Sequence, residues 1–334
     1  VKIGLADVDS HNFPCLPLMK LSAYHKRRGD YVEMLNPFEH YDVVYMSKIF
    51  DFTPDYSTAI HADVIYKGGT GYKPADTSDE RIRQGYSDSE YYISSLPPEI
   101  ENIMPDYDLY PQYSEAYGFL TRGCPRNCPY CIVTKKEGNV SKQVAETGDF
   151  WTKQKTIKLL DPNLLACNDR EKLLLQLIDT GASVDFTQGL DIRLVDSHVL
   201  QLLNRLKIKM IHFAWDNPRE DLTAAFEFFN KHFRLKDYSR KGVYVLTNFN
   251  STHDEDLHRV YALRDMGFNP YVMIYDKQNA PRETRLLQRY VNNRLIFRSV
   301  NSFEEYDCRR RRGATVRAFF QSEANENFQK GAST

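Results

Sequence analysis

The chain has 334 residues, a formal net charge of −1 and 42% hydrophobic residues. Its length exceeds one average domain, its apolar content suffices for a buried core, and its near-neutral charge sets up no global field toward nucleic acid or a membrane surface. No apolar run approaches the roughly 18 residues of a membrane-spanning helix, and the opening Val1-Lys2-Ile3-Gly4-Leu5-Ala6 is too short and too soon acidic for a signal peptide.

Residues 1–75 read as a small α/β domain. Apolar runs predict strands at 1–8, 31–35, 42–46 and 63–66. A helix over 14–28 carries Leu18, Leu21 and Tyr24 on one face and closes at Gly29. This order is that of a Rossmann-like domain, which places its ligands at the carboxyl ends of the strands. At those ends stand Asp9-Ser10-His11, Ser47-Lys48-Ile49 and Gly68-Gly69. Residues 76–112 form a connector, polar and charged over 77–90 and broken by Pro97-Pro98, Pro105 and Pro111. It reads as an exposed linker or, over 105–110, as part of a lid.

The densest chemistry follows. Gly123-Cys124-Pro125-Arg126-Asn127-Cys128-Pro129-Tyr130-Cys131 puts three of the six cysteines within eight residues, at spacing C-x3-C-x2-C, behind the short apolar run 116–120. Thiolates this close on one loop converge on a metal or a cluster. Three of them hold three irons of a four-iron cluster and leave the fourth open, and an open position marks a catalytic rather than a structural centre. Zinc is the other reading, with a fourth ligand drawn from Cys15, Cys167, Cys308 or a histidine. Zinc sites usually carry two separated C-x2-C pairs, and no second pair exists here.

Residues 113–280 alternate strand and helix. Strands are predicted at 156–160, 183–187, 209–215, 242–247 and 270–275, and helices at 168–180, 195–206, 218–233 and 253–266. Asp169 and Asp254 suit early helix positions, and Gly181 and Gly267 suit C-terminal caps. The first crossover, 132–155, has no amphipathic period and reads as an irregular loop. Polar residues gather at the predicted strand ends: Asp161-Pro162-Asn163, Gln188-Gly189, Asp191, Arg193, Asp216 and Asn248. Beyond residue 281 a helix is predicted at 284–292 and a short strand at 295–300. The basic run Arg309-Arg310-Arg311-Arg312 suits either phosphate contact or a solvated helix face.

The cysteine spacing, with aromatic Tyr130 just before the last cysteine, resembles the signature of the radical SAM superfamily. The six strand–helix steps match the partial (β/α)6 barrel of that family. The resemblance implies that Cys124, Cys128 and Cys131 hold a [4Fe–4S] cluster and that S-adenosylmethionine chelates its open iron. A low-potential electron donor of the flavodoxin or ferredoxin type would drive reductive cleavage to a 5′-deoxyadenosyl radical, acting on an unidentified substrate. In such a site Arg193 is the natural partner for the SAM carboxylate. Gln188, Asp216 and Asn248 suit ribose or substrate, and the backbone around Tyr130 and Ile132 suits adenine. The family's G-G-E strand end is replaced here by Asp161-Pro162-Asn163, which leaves Asp161 to meet the amino group.

Residues 1–75 resemble the cobalamin-binding domain that precedes many radical SAM barrels, where the family carries D-x-H-x-x-G, S-x-L and a glycine pair. Pro14 stands in place of the first motif's glycine. The resemblance implies cobalamin, with His11 as an axial ligand oriented by Asp9; otherwise both are loop or capping residues. The sequence-level expectation is therefore an α/β protein, a partial radical SAM barrel preceded by a small Rossmann-like domain, located in the cytoplasm. Three alternatives stand beside the unassigned radical SAM enzyme: a cobalamin-dependent methyltransferase, a tRNA- or RNA-modifying enzyme and a zinc-stabilised binding protein without catalysis. The basic run and 22 tyrosines favour nucleic acid; the near-neutral charge, the missing second cysteine triad and the lack of an RNA-binding appendage oppose it.

Overall fold

The computed structural model describes residues 1–11, 13–72 and 90–307. Cys308, the basic run 309–312 and most of the polar stretch 77–90 lie outside the described residues. The protein is an α/β chain built on parallel sheets. Contacts divide it into two units that interleave along the sequence: Val1–Leu120 with Ala145–Lys158, and Thr121–Val144 with Leu159 onward. The expected boundaries near 75, 112 and 280 are linear, and this division is not.

The first unit holds a five-stranded sheet of order β2-β1-β3-β4-β5. Its strands are β1 (Lys2–Asp7), β2 (Tyr31–Met34), β3 (His40–Ser47), β4 (His61–Gly68) and β5 (Glu90–Ile93), all parallel. Helix α1 (Leu16–Arg27) buries Leu16, Leu18, Met19 and Leu21. Ala6, Tyr41, Val44, Met46, Ile65 and Tyr72 form a core cluster. Strand β5 falls in the stretch expected to be a linker. An aromatic ladder favours it there: Tyr45 stacks on Tyr66 at 5.2 Å, and Tyr66 meets Tyr91 of β5 at 5.4 Å. The residues expected to belong to a lid are docked instead. Asp106 accepts from Ser22 Oγ and Lys26 Nζ on α1, Tyr107 donates to the Phe150 carbonyl, and Tyr110 donates to Asp7 at 2.7 Å. A short helix, α2 (Pro98–Glu101), precedes them, and β6 (Ala116–Gly118) lies beside β9 (Thr156–Leu159).

The second unit carries β10 (Ser183–Phe186), β11 (Lys207–Ala214), β12 (Lys241–Thr247) and β13 (Asn269–Ile274) in sequence order, mutually parallel. Helices α4 (Arg170–Thr180), α5 (Ser197–Arg205), α6 (Thr223–His232) and α7 (His253–Asp265) alternate with them. Phe213 of β11 packs edge-on against Phe226 and Phe229 of α6, all fully buried. Helix α7 begins with a capping box, Thr252 accepting from the N–H of Glu255 and Glu255 accepting from that of Thr252. Asp254 contributes only first-turn charge. Helix α8 (Arg282–Asn292) follows β13. The strand expected at 295–300 is a helix, α9 (Arg294–Ser299): Asn293 caps it by accepting from Ile296 N at 3.2 Å, and Phe297 turns into the core while Leu295 is exposed.

Candidate metal centre

The cysteine loop is closed at its base by a two-strand antiparallel ladder, β7 (Thr121–Arg122) with β8 (Lys142–Gln143). Inside it the expected irregular crossover contains one short helix, α3 (Val133–Glu137). Gly123 turns the chain at φ 86°, and a Cβ there would stand 2.2 Å from the Val140 carbonyl oxygen, so only glycine fits. The next residue, Cys124, donates its N–H to the Gly138 carbonyl, and Cys131 donates to the Cys128 carbonyl. These bonds fix the backbone at the first and last thiol. Cys124, Cys128 and Cys131 are all half-buried, and none is in a disulfide.

Carboxylates at the strand ends moor this loop. Asp161, after β9, is almost fully buried, and its Oδ1 accepts from both the N–H and the hydroxyl of Thr121 at 2.5 and 2.7 Å. Asp191, after β10, accepts from Arg126 of the loop at 2.6 Å and from Arg193 at 2.7 Å. Burial pushes the Asp191 carboxyl up, but the hydrogen bonds from Arg193 and Arg126 outweigh it and hold the group below the usual range. Asp216, after β11, accepts from Tyr130 Oη at 3.0 Å and from Leu246 N at 3.0 Å. Burial raises its carboxyl above the ordinary value. Burial, followed by the charge of Asp216, also raises the Tyr130 phenol, which therefore remains a hydrogen-bond donor near neutral pH. Tyr130 further meets Phe249 edge-on at 5.3 Å, and Phe249 meets Tyr275 at 4.8 Å.

Beneath these groups Arg259 is 1% exposed. Its guanidinium donates to the carbonyls of Trp215, Asp216 and Leu246 and to the carboxylate of Asp256. One buried cation thus ties the ends of β11 and β12 together. Nothing in the helical pattern of α7 distinguishes it from a surface arginine. Asn163 is also nearly buried: its Nδ2 donates to Cys124 Sγ at 3.6 Å, its carbonyl accepts from Ser141, and its Oδ1 has no partner. From the Asp161-Pro162-Asn163 strand end the sequence gives a specific role only to Asp161.

The expected site residues thus separate into groups. Cys124, Cys128, Cys131, Tyr130, Asp161, Arg193 and Asp216 are linked through the loop and its moorings. Arg193 also donates to Glu220 at 2.6 Å, which leaves its Nη2 without a bond to a described residue. Asn248 is half-buried in the left-handed region at φ 60°, while Gln188 and Ile132 are exposed. Arg126 was missed. Its signal was an opposite charge within the cysteine motif, facing the acidic strand end that follows β10.

His11 belongs to the first unit and makes no carboxylate pair among the described residues. Asp9, 2% exposed, gives one oxygen to Ile49 N at 2.6 Å and the other to Phe50 N at 2.8 Å. No hydrogen bond joins it to His11, which is exposed at φ 46° with its ring 6.3 Å from that of Phe50. Gly69, at φ 99°, lies flat on the loop after β3, where a Cβ would stand 2.2 Å from the Lys48 carbonyl oxygen. The Asp9 carboxylate is thus engaged with the backbone after β3, and Gly69 packs on the same loop.

The cysteine loop suits a thiolate-bound cluster better. It offers three free, half-buried thiols and an amide donor aimed at one of their sulfurs. Burial, then the neighbouring Cys128 and Cys124, raises the Cys131 thiol. Among the described residues, no three His, Cys, Asp or Glu side chains are arranged to hold a metal ion. Among the described residues, no helix is long and apolar enough to cross a membrane. No protein-family model matches the chain, and no curated protein matches it.

Proposed function

We propose that the chain is a radical SAM enzyme in which Cys124, Cys128 and Cys131 hold a [4Fe–4S] cluster and β6, β9 and β10 to β13 belong to a partial (β/α)6 barrel. The observation that carries this reading is the cysteine loop itself: three unpaired thiols at C-x3-C-x2-C, moored by Asp161, Asp191 and Asp216 from successive strand ends. Strand carboxyl ends are where α/β barrels concentrate their chemistry. When bound, the cluster and SAM supply one-electron reductive cleavage of the sulfonium, with hydrogen abstraction from a substrate.

The protein's share is positioning. Thr121 ahead of the motif and Arg126 within it bind buried carboxylates, which anchors the loop backbone that carries the thiols. Tyr130, half-buried beside the last cysteine, is held by Asp216 and packs edge-on against Phe249. Arg193, stiffened by Asp191 and Glu220, keeps Nη2 for a ligand carboxylate. The electron comes from a low-potential donor protein of flavodoxin or ferredoxin type. The test is anaerobic reconstitution with iron and sulfide, followed by SAM and dithionite, with 5′-deoxyadenosine measured by mass spectrometry. Product that requires both additions supports the reading. Stoichiometric zinc and no product overturn it.

A further inference from the structure

The side chain of Asn163 makes one hydrogen bond, from Nδ2 to Cys124 Sγ at 3.6 Å. Its Oδ1 is buried and unpartnered, and the whole residue is 3% exposed. A buried amide with half its capacity unused destabilises the fold, and an apolar side chain of the same size would avoid that loss. The local backbone does not need the amide either. Asn163 precedes a short 3-10 turn and makes no side-chain cap there, and the bond from Ser141 Oγ goes to its main-chain carbonyl. What the side chain does is donate to a sulfur.

We infer that Asn163 is a positioning residue that raises the reduction potential of the iron–sulfur centre held by Cys124, through its Nδ2–H···Sγ hydrogen bond. The inference rests on the cluster reading above. Reduction adds negative charge to a cluster and its thiolates, so a donor to a ligating sulfur stabilises the reduced form more than the oxidised one. Burial strengthens the effect, because water does not screen or replace the bond. Neighbouring charge works the same way with opposite sign, so a carboxylate in this position disfavours reduction.

The experiment uses the full chain, reconstituted anaerobically, as wild type, Asn163→Leu and Asn163→Asp. Iron and sulfide are counted first, and the midpoint potential is then read by titration monitored by electron paramagnetic resonance. The expected result is equal cluster content in all three. The potential falls in Asn163→Leu and falls further in Asn163→Asp, where an anion replaces the donor. Equal potentials at equal cluster content overturn the inference and leave the cluster reading intact. A wild-type chain that takes up no iron and sulfide overturns the reading and the inference together. If Asn163→Leu fails to fold, the isosteric Asn163→Asp decides alone: a lower potential supports the role, and an unchanged one refutes it.

Discussion

Two loops in this protein are held by the same device and end in different states. After β1, buried Asp9 accepts from the backbone of Ile49 and Phe50. After β9, buried Asp161 accepts from the backbone and hydroxyl of Thr121. In the first loop the motif residues are spent on one another: carboxylate on amides, glycine against the Lys48 carbonyl, and His11 left outside with no partner carboxylate. In the second the staple encloses three thiols that form no disulfide among the described residues, one of them accepting from the buried amide of Asn163 just beyond it. The comparison motivates the proposal that the cysteine loop carries the chemistry, and the variants below test it.

The largest effect that tests this contrast is Cys128→Ala. It should abolish cluster uptake and SAM cleavage while far-UV circular dichroism and the unfolding transition stay near wild type, since the thiol is half-buried and outside the hydrophobic core. Retained iron and sulfide in that variant would break the contrast. Next is Arg259→Met, which leaves the buried Asp256 carboxylate without its cation. Breaking a buried pair by removing one partner costs about 3–5 kcal/mol, so denaturant unfolding should show a loss of that order. Smaller and more diagnostic is the pair Asp9→Ala and Asp161→Ala. Each removes hydrogen bonds to a charged acceptor, each bond worth roughly 1.5–3 kcal/mol, and both should lower stability by similar amounts. Only Asp161→Ala should also lower iron and sulfide content, as chemical assay would show. Equal iron content in the two variants would show that the moorings do not matter to the thiols.

The smallest effect sharpens the comparison by perturbing the second unit at the start of β12, away from the strand carboxyl ends. Lys241 is 1% exposed beside Asn230, and burial lowers its ammonium to about 8 from the ordinary lysine value of 10.5. Between those values the unfolded chain holds a proton that the folded chain has released, so stability rises with pH across that window and is flat below it. The wild type should therefore gain stability relative to Lys241→Met between pH 8 and 10.5, by no more than about 3.4 kcal/mol at 1.36 kcal/mol per unit, with cluster content unchanged. A flat difference across that range would show that the lysine is solvated.

Much of the architecture was legible in the sequence because period and punctuation decide it. The strands of the second unit fell where apolar runs predicted, and Gly181 sits in the left-handed region at φ 64° as the C-terminal cap of α4. The misses have local causes. Strand β5 lay in a polar stretch and is held by tyrosines on neighbouring strands, which no window of sequence reports. Residues 294–299 alternate enough to read as a strand, and the cap supplied by Asn293 decides for helix. Among the site residues, the cysteines announce themselves by spacing. Arg126, Asn163 and Arg259 do not, because what makes them distinctive is a partner far along the chain: Asp191, Cys124, and the carbonyls of Trp215 and Leu246.

The central claim is that the three thiols form a cluster site with an open iron. The most direct measurement is the electron paramagnetic resonance spectrum of the anaerobically reconstituted, dithionite-reduced protein, recorded before and after SAM is added. A reduced [4Fe–4S] signal that changes shape on addition of SAM is the predicted result, because a ligand enters the open position. A signal indifferent to SAM, or no iron–sulfur signal at all, would contradict it.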